Sequence, residues 1–360
     1  MLAQEPELPP GLAEHAERNR SGESVEERSP SDQAMARASA AYVTGDYLSA
    51  RIHAERAAAV GEPRGATLAG HILLHGLAGE PDETSAVRWL NRAGEQGEID
   101  ALIILASLAA ESRGGLEPHH AREYLNRAAG TGDARAAYEL GTYLRESGDP
   151  GVAATALDWM RLSAEAGLPR AMAAYAAALD DWVHGPNDPE LARPWYIRAG
   201  EAGDAPSAAI AGVMLITGEG GAADEEAGRA LLRMAAEMSL PAAMGDYALL
   251  LMQDAESGDG DYQQAASWAR RGAEAGDAQA QFLYAGALAT GRGVLRDMEQ
   301  AYVWVRRAGY PRDNSLDDDP QRERLEAQLE ELFTHDTVNR LEAEALSGMA
   351  QRYRLNPAGD

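Results

Sequence analysis

Cysteine and lysine are both absent from the 360 residues. Without a thiol there is no thiolate nucleophile, no cysteine metal site and no disulfide to report a redox compartment. Without lysine there is no Schiff-base chemistry and no phosphate-binding loop of the P-loop type. Aromatic residues make up only 6% of the chain while apolar residues reach 45%, much of it alanine. A core built from such small side chains forms by close approach of helix on helix. Long hydrophobic runs are missing too: no stretch nears the roughly 18–20 apolar residues of a membrane span. The N-terminus lacks the basic-then-apolar pattern of a signal peptide. The chain as written therefore reads as cytoplasmic. Met1-Leu2-Ala3-Gln4, followed by acidic and Pro-rich residues, looks like the end of a trimmed signal, and a signal preceding it would make the protein periplasmic.

Every one of the 32 basic residues is Arg, and 58 acidic residues set the formal charge at −26. A charge of that sign repels phosphate backbones and anionic lipid, which argues against nucleic-acid and membrane-surface roles. It favours protein or peptide partners that are basic or amphipathic.

Residues 1–30 hold Pro6, Pro9 and Pro10 and then many Glu, Arg and Ser, a composition that reads as a disordered tail. Further on, the chain repeats itself. A large residue followed four positions later by a small one recurs at Trp89, Tyr124, Trp159, Trp195, Leu231, Trp268 and Trp304, with a spacing of 35 to 37 residues. Downstream comes a helix stop at Gly97, Gly132, Gly167, Gly203, Ser239 and Gly276, where Gly accepts the left-handed conformation of a helix C-terminus. Four residues later a small residue opens the next unit: Ala101, Ala136, Ala171, Ser207, Ala243 and Ala280. Five positions on, the residue is small again (Ala106, Gly141, Ala176, Gly212, Ala248, Ala285), which admits a second helix closely. An earlier unit opening at Ala66 brings the array to seven helix pairs over residues 66–309. Residues 31–65 read as an N-terminal capping pair around Tyr42 and Tyr47. Residues 310–360 read as a linker and two polar capping helices, near 320–333 and 337–353, the second with Asp336 as its N-cap.

The last unit, Gly291-Arg-Gly-Val-Leu-Arg-Asp297-Met-Glu-Gln-Ala301-Tyr-Val-Trp304-Val-Arg-Arg-Ala308, resembles the Sel-one-like repeat family, relatives of the tetratricopeptide repeats. The units at Ala136, Ala171 and Ala243 lack its Gly-x-Gly-Val loop, and Leu231 replaces the aromatic. The resemblance implies an all-α fold, a right-handed α-solenoid of antiparallel helix pairs, and a non-enzymatic scaffold or adaptor for other proteins. Family members often serve in bacterial signalling and envelope processes, as regulators or assembly factors.

The remaining motifs read as structure. His71 and His75 lie four apart on one helix, a zinc-compatible spacing, but Ile72-Leu73-Leu74 between them lacks the Glu of a His-Glu-x-x-His site. His71 also fills the slot that is small in the other units, so this helix is shifted by a residue or splayed. A metal protein or accessory hydrolase using this pair is the alternative from another class. His119 and His120 point about 100° apart on a helix and read as exposed first-turn residues. Gly218-Glu-Gly-Gly221 and Gly291-Arg-Gly293 suggest a phosphate cradle but are explained by the repeat. Asp313 and Asp317–Asp319, and Asp259 with Asp261, lack an EF-hand pattern and read as acidic loops. The Trp and Tyr series reads as packing. No catalytic residue, metal or cofactor is implied.

If the first helices line a concave face, as likeness to tetratricopeptide arrays implies, groove positions fall near two, six and nine residues after each opener. They include Leu68, Ile72, Ile103, Tyr138, Arg145, Val213, Ile216, Leu249, Met252 and Phe282, an apolar series for exposed positions. Two readings stand: a groove for an apolar or amphipathic peptide carrying basic residues, or burial of these positions between tightly wound repeats.

Overall fold

The structure is a computed structural model; it describes residues 7–13, 29–181, 185–258, 260–310 and 319–355. Among these residues the regular elements are helical and no strand occurs. The chain divides into two compact units, residues 1–171 and 172–360.

In the first unit α1 (Pro30–Val43) pairs with α2 (Tyr47–Ala59), α3 (Pro63–Leu74) with α4 (Glu83–Glu95), α5 (Ile99–Ala110) with α6 (His119–Ala129), and α7 (Ala134–Glu146) with α8 (Ala153–Glu165). The boundary between units falls within α9 (Pro169–Asp180). In the second unit come α10 (Pro189–Glu201), then α11 (Ala205–Thr217) paired with α12 (Glu225–Glu237), α13 (Pro241–Ser257) with α14 (Tyr262–Ala275), and α15 (Ala278–Thr290) with α16 (Met298–Ala308). Two further helices, α17 (Pro320–Glu330) and α18 (His335–Leu355), pack on α16.

The helices begin where local chemistry favours a start. Asp82, Asp188, Asp224, Asp261 and Asp297 accept backbone N–H groups at the N-termini of second helices, and Asp133, Asp204 and Asp277 do so for first helices. Each such cap satisfies a donor that the helix cannot, and contributes about 1 kcal/mol. Part of the large acidic excess is thus spent on helix starts. Pro at the first helical position of α1, α3, α9, α10, α13 and α17 adds a fixed φ where no N–H is needed.

Small residues set the distance between paired helices. A Cβ on Gly141 of α7 would lie 2.6 Å from Met160 Cγ and 3.1 Å from the Ala156 carbonyl on α8; on Gly212 of α11 it would lie 2.8 Å from Leu232 Cγ of α12. In α3 the same role falls to Gly70, against Leu90 at 2.7 Å. The small residue five positions earlier is Gly65, itself pressed against the Ala54 carbonyl and Ala57. The first repeat therefore opens at Gly65, not Ala66, which is the one-residue shift that His71 signalled.

Large residues of the second helices fill the remaining space. Tyr175 meets Trp195, Tyr247 meets Trp268 and Tyr284 meets Trp304 edge-on, with ring centroids 5.4, 5.6 and 5.8 Å apart. Arg92, Arg198, Arg271 and Arg307, three residues after each Trp, lie over the indoles at 5.6, 4.3, 4.0 and 4.7 Å. Arg92 also donates to the Ala58 carbonyl and Arg127 to the Gly94 carbonyl, both near the C-terminus of the preceding pair's second helix. The aromatic series is packing, as its sequence pattern suggests.

Both ends differ from the sequence expectation. Residues 7–13 are not a free tail: residues 10–13 are helical, and Leu12 is 1% exposed in a core with Met35, Tyr42, Leu68 and Ile72. Leu8 and Leu12 supply apolar surface that the polar residues after them conceal in a compositional reading. Of the rest of the predicted tail, residues 1–6 and 14–28 lie outside the described residues, and Ser29 and Pro30 are the N-cap and first residue of α1. At the other end α17 and α18 are less polar than they read, since Leu329, Val338, Leu341 and Ala345 close the core over Tyr302. α18 starts at His335, so its N-cap is Thr334, whose Oγ1 accepts from the Thr337 N–H, and Asp336 sits inside the first turn.

Candidate functional site

The positions predicted to line a groove separate by unit. In the second unit, Val213 on α11 is 40% exposed, as is Ile210 three residues before it, which lies outside the series read from the sequence. Ile216 on the same helix, Leu249 and Met252 on α13, and Phe282 on α15 are half-buried. Spacings of three and four residues put each helix's members on one face, so α11 and α13 each present aliphatic side chains to solvent along the first-helix face. Beside Leu249, burial pushes the Asp246 carboxyl above the usual carboxylate range.

In the first unit, Ile103 on α5 and Tyr138 on α7 are half-buried, and Arg145 is exposed. Arg170 lies 4.7 Å over the Tyr138 ring and 3.2 Å from Glu139. Leu68 and Ile72 depart from the expectation, being 1% and 0% exposed. With the repeat opening at Gly65 they fall three and seven residues after the opener, and they belong to the core shared with Leu12. These two are core residues and line no open groove.

A buried ionic group lies at the start of α5. Asp100 is 3% exposed and accepts from Arg135 Nη1 and from the Gly11 backbone N–H, each at 2.8 Å. Nearby, burial pushes the Glu98 carboxyl up to about 7, with the Asp100 charge adding to the shift and Arg64 and Arg135 opposing it. Sequence reasoning missed this group because its parts are 89 residues apart along the chain.

The other candidates resolve into structural roles. His71 Nε2 lies 3.1 Å from the Tyr42 hydroxyl, and the His71 and His75 rings are 4.6 Å apart. Burial, then the His75 charge, pulls His71 down to about 4, so its imidazole is neutral at neutral pH. Among the described residues no group of three or more His, Asp or Glu is arranged to hold a metal ion. His119 and His120 lie with rings 4.0 Å apart, closer than their 100° offset suggests, and His120 Nδ1 accepts from the Glu117 N–H at the start of α6.

The Gly-rich loops pack against backbone. A Cβ on Gly293 would lie 2.0 Å from the Tyr262 carbonyl oxygen, and one on Gly220 would lie 2.3 Å from that of Pro189. The Glu219 and Ala222 carbonyls of the Gly218–Gly221 loop accept from Arg193, the opposite polarity to a phosphate cradle. Asp261 and Asp319 are helix caps, while Asp259, Asp313, Asp317 and Asp318 lie outside the described residues. Among the described residues no helix is long and apolar enough to cross a membrane.

A sequence profile of the Sel1 repeat matches residues 63–98, 134–168, 169–204, 205–240, 241–277 and 278–310, more than half of the chain and in the register that Gly65 sets. The chain belongs to the Sel1 repeat family. The unmatched interval holds α5 and α6, which pack as a pair like the others but lack a side-chain cap at either N-terminus. Two solved Sel1-type structures resemble the fold. One is a protective antigen of uropathogenic Escherichia coli strains displaying an SLR fold, 23% identical over 98% of this chain and 80% of that one, with a TM-score of 0.67. The other is a Sel1 repeat protein from Oxalobacter formigenes, 21% identical over 91% of this chain and 95% of that one, with a TM-score of 0.61. A search of the curated proteins gave no significant match. Sel1 repeats generally mediate protein–protein interactions.

Proposed function

We propose that this Sel1 repeat protein is a non-enzymatic adaptor that binds a protein segment along the first-helix face of its second unit, in bacterial regulation or complex assembly. The observation that carries the reading is the exposed pair Ile210 and Val213 on α11, with Leu249 and Met252 on α13 at the repeat positions of Val213 and Ile216. Aliphatic side chains held at helical spacing on a rigid scaffold suit an amphipathic helix or extended peptide. The −26 charge favours a partner with basic residues beside its apolar ones. A cytoplasmic setting is the reading for the chain as written, and a periplasmic envelope regulator of the same fold is the reading if a signal precedes it.

Affinity capture with the intact protein beside a Leu249→Glu/Met252→Glu variant tests this, with circular dichroism showing that both are equally helical. The expected outcome is a partner retained by the intact chain and lost by the variant. The same partner on both would move binding away from this face.

A further inference from the structure

The first-helix face of α3 is sealed, whereas those of α5 and α11 are open. Two, three and six residues after the opener Gly65 stand Thr67, Leu68 and His71, at 0%, 1% and 3% exposure. The equivalent residues of α5 and α11 are half-buried or exposed. The element that shares the α3 core without belonging to any helix pair is the segment 7–13, Glu-Leu-Pro-Pro-Gly-Leu-Ala. Leu12 is buried in that core and Leu8 packs against it. Leu12 lies in the helical turn of residues 10–13 and Leu8 in the non-helical stretch before it, and both side chains reach the same core from one short segment.

Between them Gly11 donates its N–H to Asp100 Oδ2 at 2.8 Å, which ties the segment to the start of α5. A Cβ there would stand 2.6 Å from that oxygen, so any larger residue must push the Asp100 carboxylate aside. Each helix pair is complete without the segment, and what the segment adds to the core is two leucines. A contact of this size closes readily because tethering raises its effective concentration, and a competing segment can displace it.

We propose that residues 7–13 are an internal stand-in for a partner. They fill the first-helix face of α3, held at the start of α5 by Asp100, and leave it when a partner segment takes their place, one with two aliphatic side chains four residues apart and an N–H for Asp100. The inference rests on the reading that first-helix faces of this chain accept protein segments. It adds that one such face is closed by the chain itself.

The test is fluorescence anisotropy with a labelled peptide of residues 5–15, titrated with the full-length protein and with two full-length variants, Leu8→Glu/Leu12→Glu and Gly11→Val. The second crowds the Asp100 carboxylate, weakens the hydrogen bond that ties the segment down and leaves both leucines in place. Because a filled face lowers apparent affinity by the fraction of open molecules, the peptide should bind both variants at least about tenfold more tightly than the intact chain. A peptide with both leucines replaced by Glu should bind none of the three. Equal binding to intact and released chains, or no binding to helical variants, would overturn the proposal. So would unfolding of both variants, which would make the segment permanent core. Dimerisation of the intact chain that the peptide blocks would assign the face to a second copy and overturn the partner reading. Failure here beside partner capture that still depends on Leu249 and Met252 removes only the internal stand-in. Peptide binding without that dependence removes only the second-unit face.

Discussion

His71, which is buried, and Glu98, which is half-buried, are titratable groups with opposite effects on stability. His71 titrates at about 4 in the folded chain against an ordinary 6.5, so the unfolded chain binds its proton more readily. Its neutral contribution is complete above pH 6.5 and is lost as pH falls towards 4, by up to about 3 kcal/mol. Glu98 titrates at about 7 against an ordinary 4.5, so the folded chain holds the proton more readily. That contribution is present below pH 4.5 and is lost as pH rises through 7, again by up to about 3 kcal/mol. Denaturant unfolding measured from pH 4 to pH 8 should show His71→Gln flattening the acid limb and Glu98→Gln flattening the neutral one. Unchanged limbs in either variant would mean that the group does not titrate as described. Sequence made His71 visible as a misfit in a slot of small residues. Glu98 gave no sign, because its burial depends on α3, α5 and α7 meeting.

At the scale of the element, paired helices were legible because close packing leaves a periodic trace of small openers, mid-helix Gly or Ala and large residues on the second helix. Two features escaped. The Asp caps recur at ten of the eighteen helix starts, yet in a strongly acidic chain they do not stand out from solvated charge. The segment 7–13 has two leucines separated by Pro-Pro-Gly, and such a short piece shows no helical period before its packing partner is known. The inter-helix loop allows a direct check. Gly293 has φ near +75° and a Cβ there would meet the Tyr262 carbonyl, so Gly293→Ala combines backbone strain with a collision. It should cost about 1–3 kcal/mol in chemical denaturation, whereas Gly286→Ala, with open space around its Cβ, should change stability little or raise it.

For the whole molecule, the family gives the general role and the residues of the first helices give the proposed surface. Two of the ten predicted groove positions are buried. Ile103, Tyr138, Arg145, Val213, Ile216, Leu249, Met252 and Phe282 keep some exposure; Ile72 falls at a repeat position that Leu108 and Met214 also bury, and Leu68 at one that is open in α5 and α11 but covered in α3. The partner's identity leaves no trace in this chain, since a repeat surface fixes spacing and polarity rather than a name. Hydrogen exchange on the intact protein, alone and saturated with the captured partner, tests the central claim most directly. The account predicts added protection in α11 and α13, with little change in the second helices α12 and α14. Protection confined to α12 and α14, or none anywhere in the second unit, would contradict it.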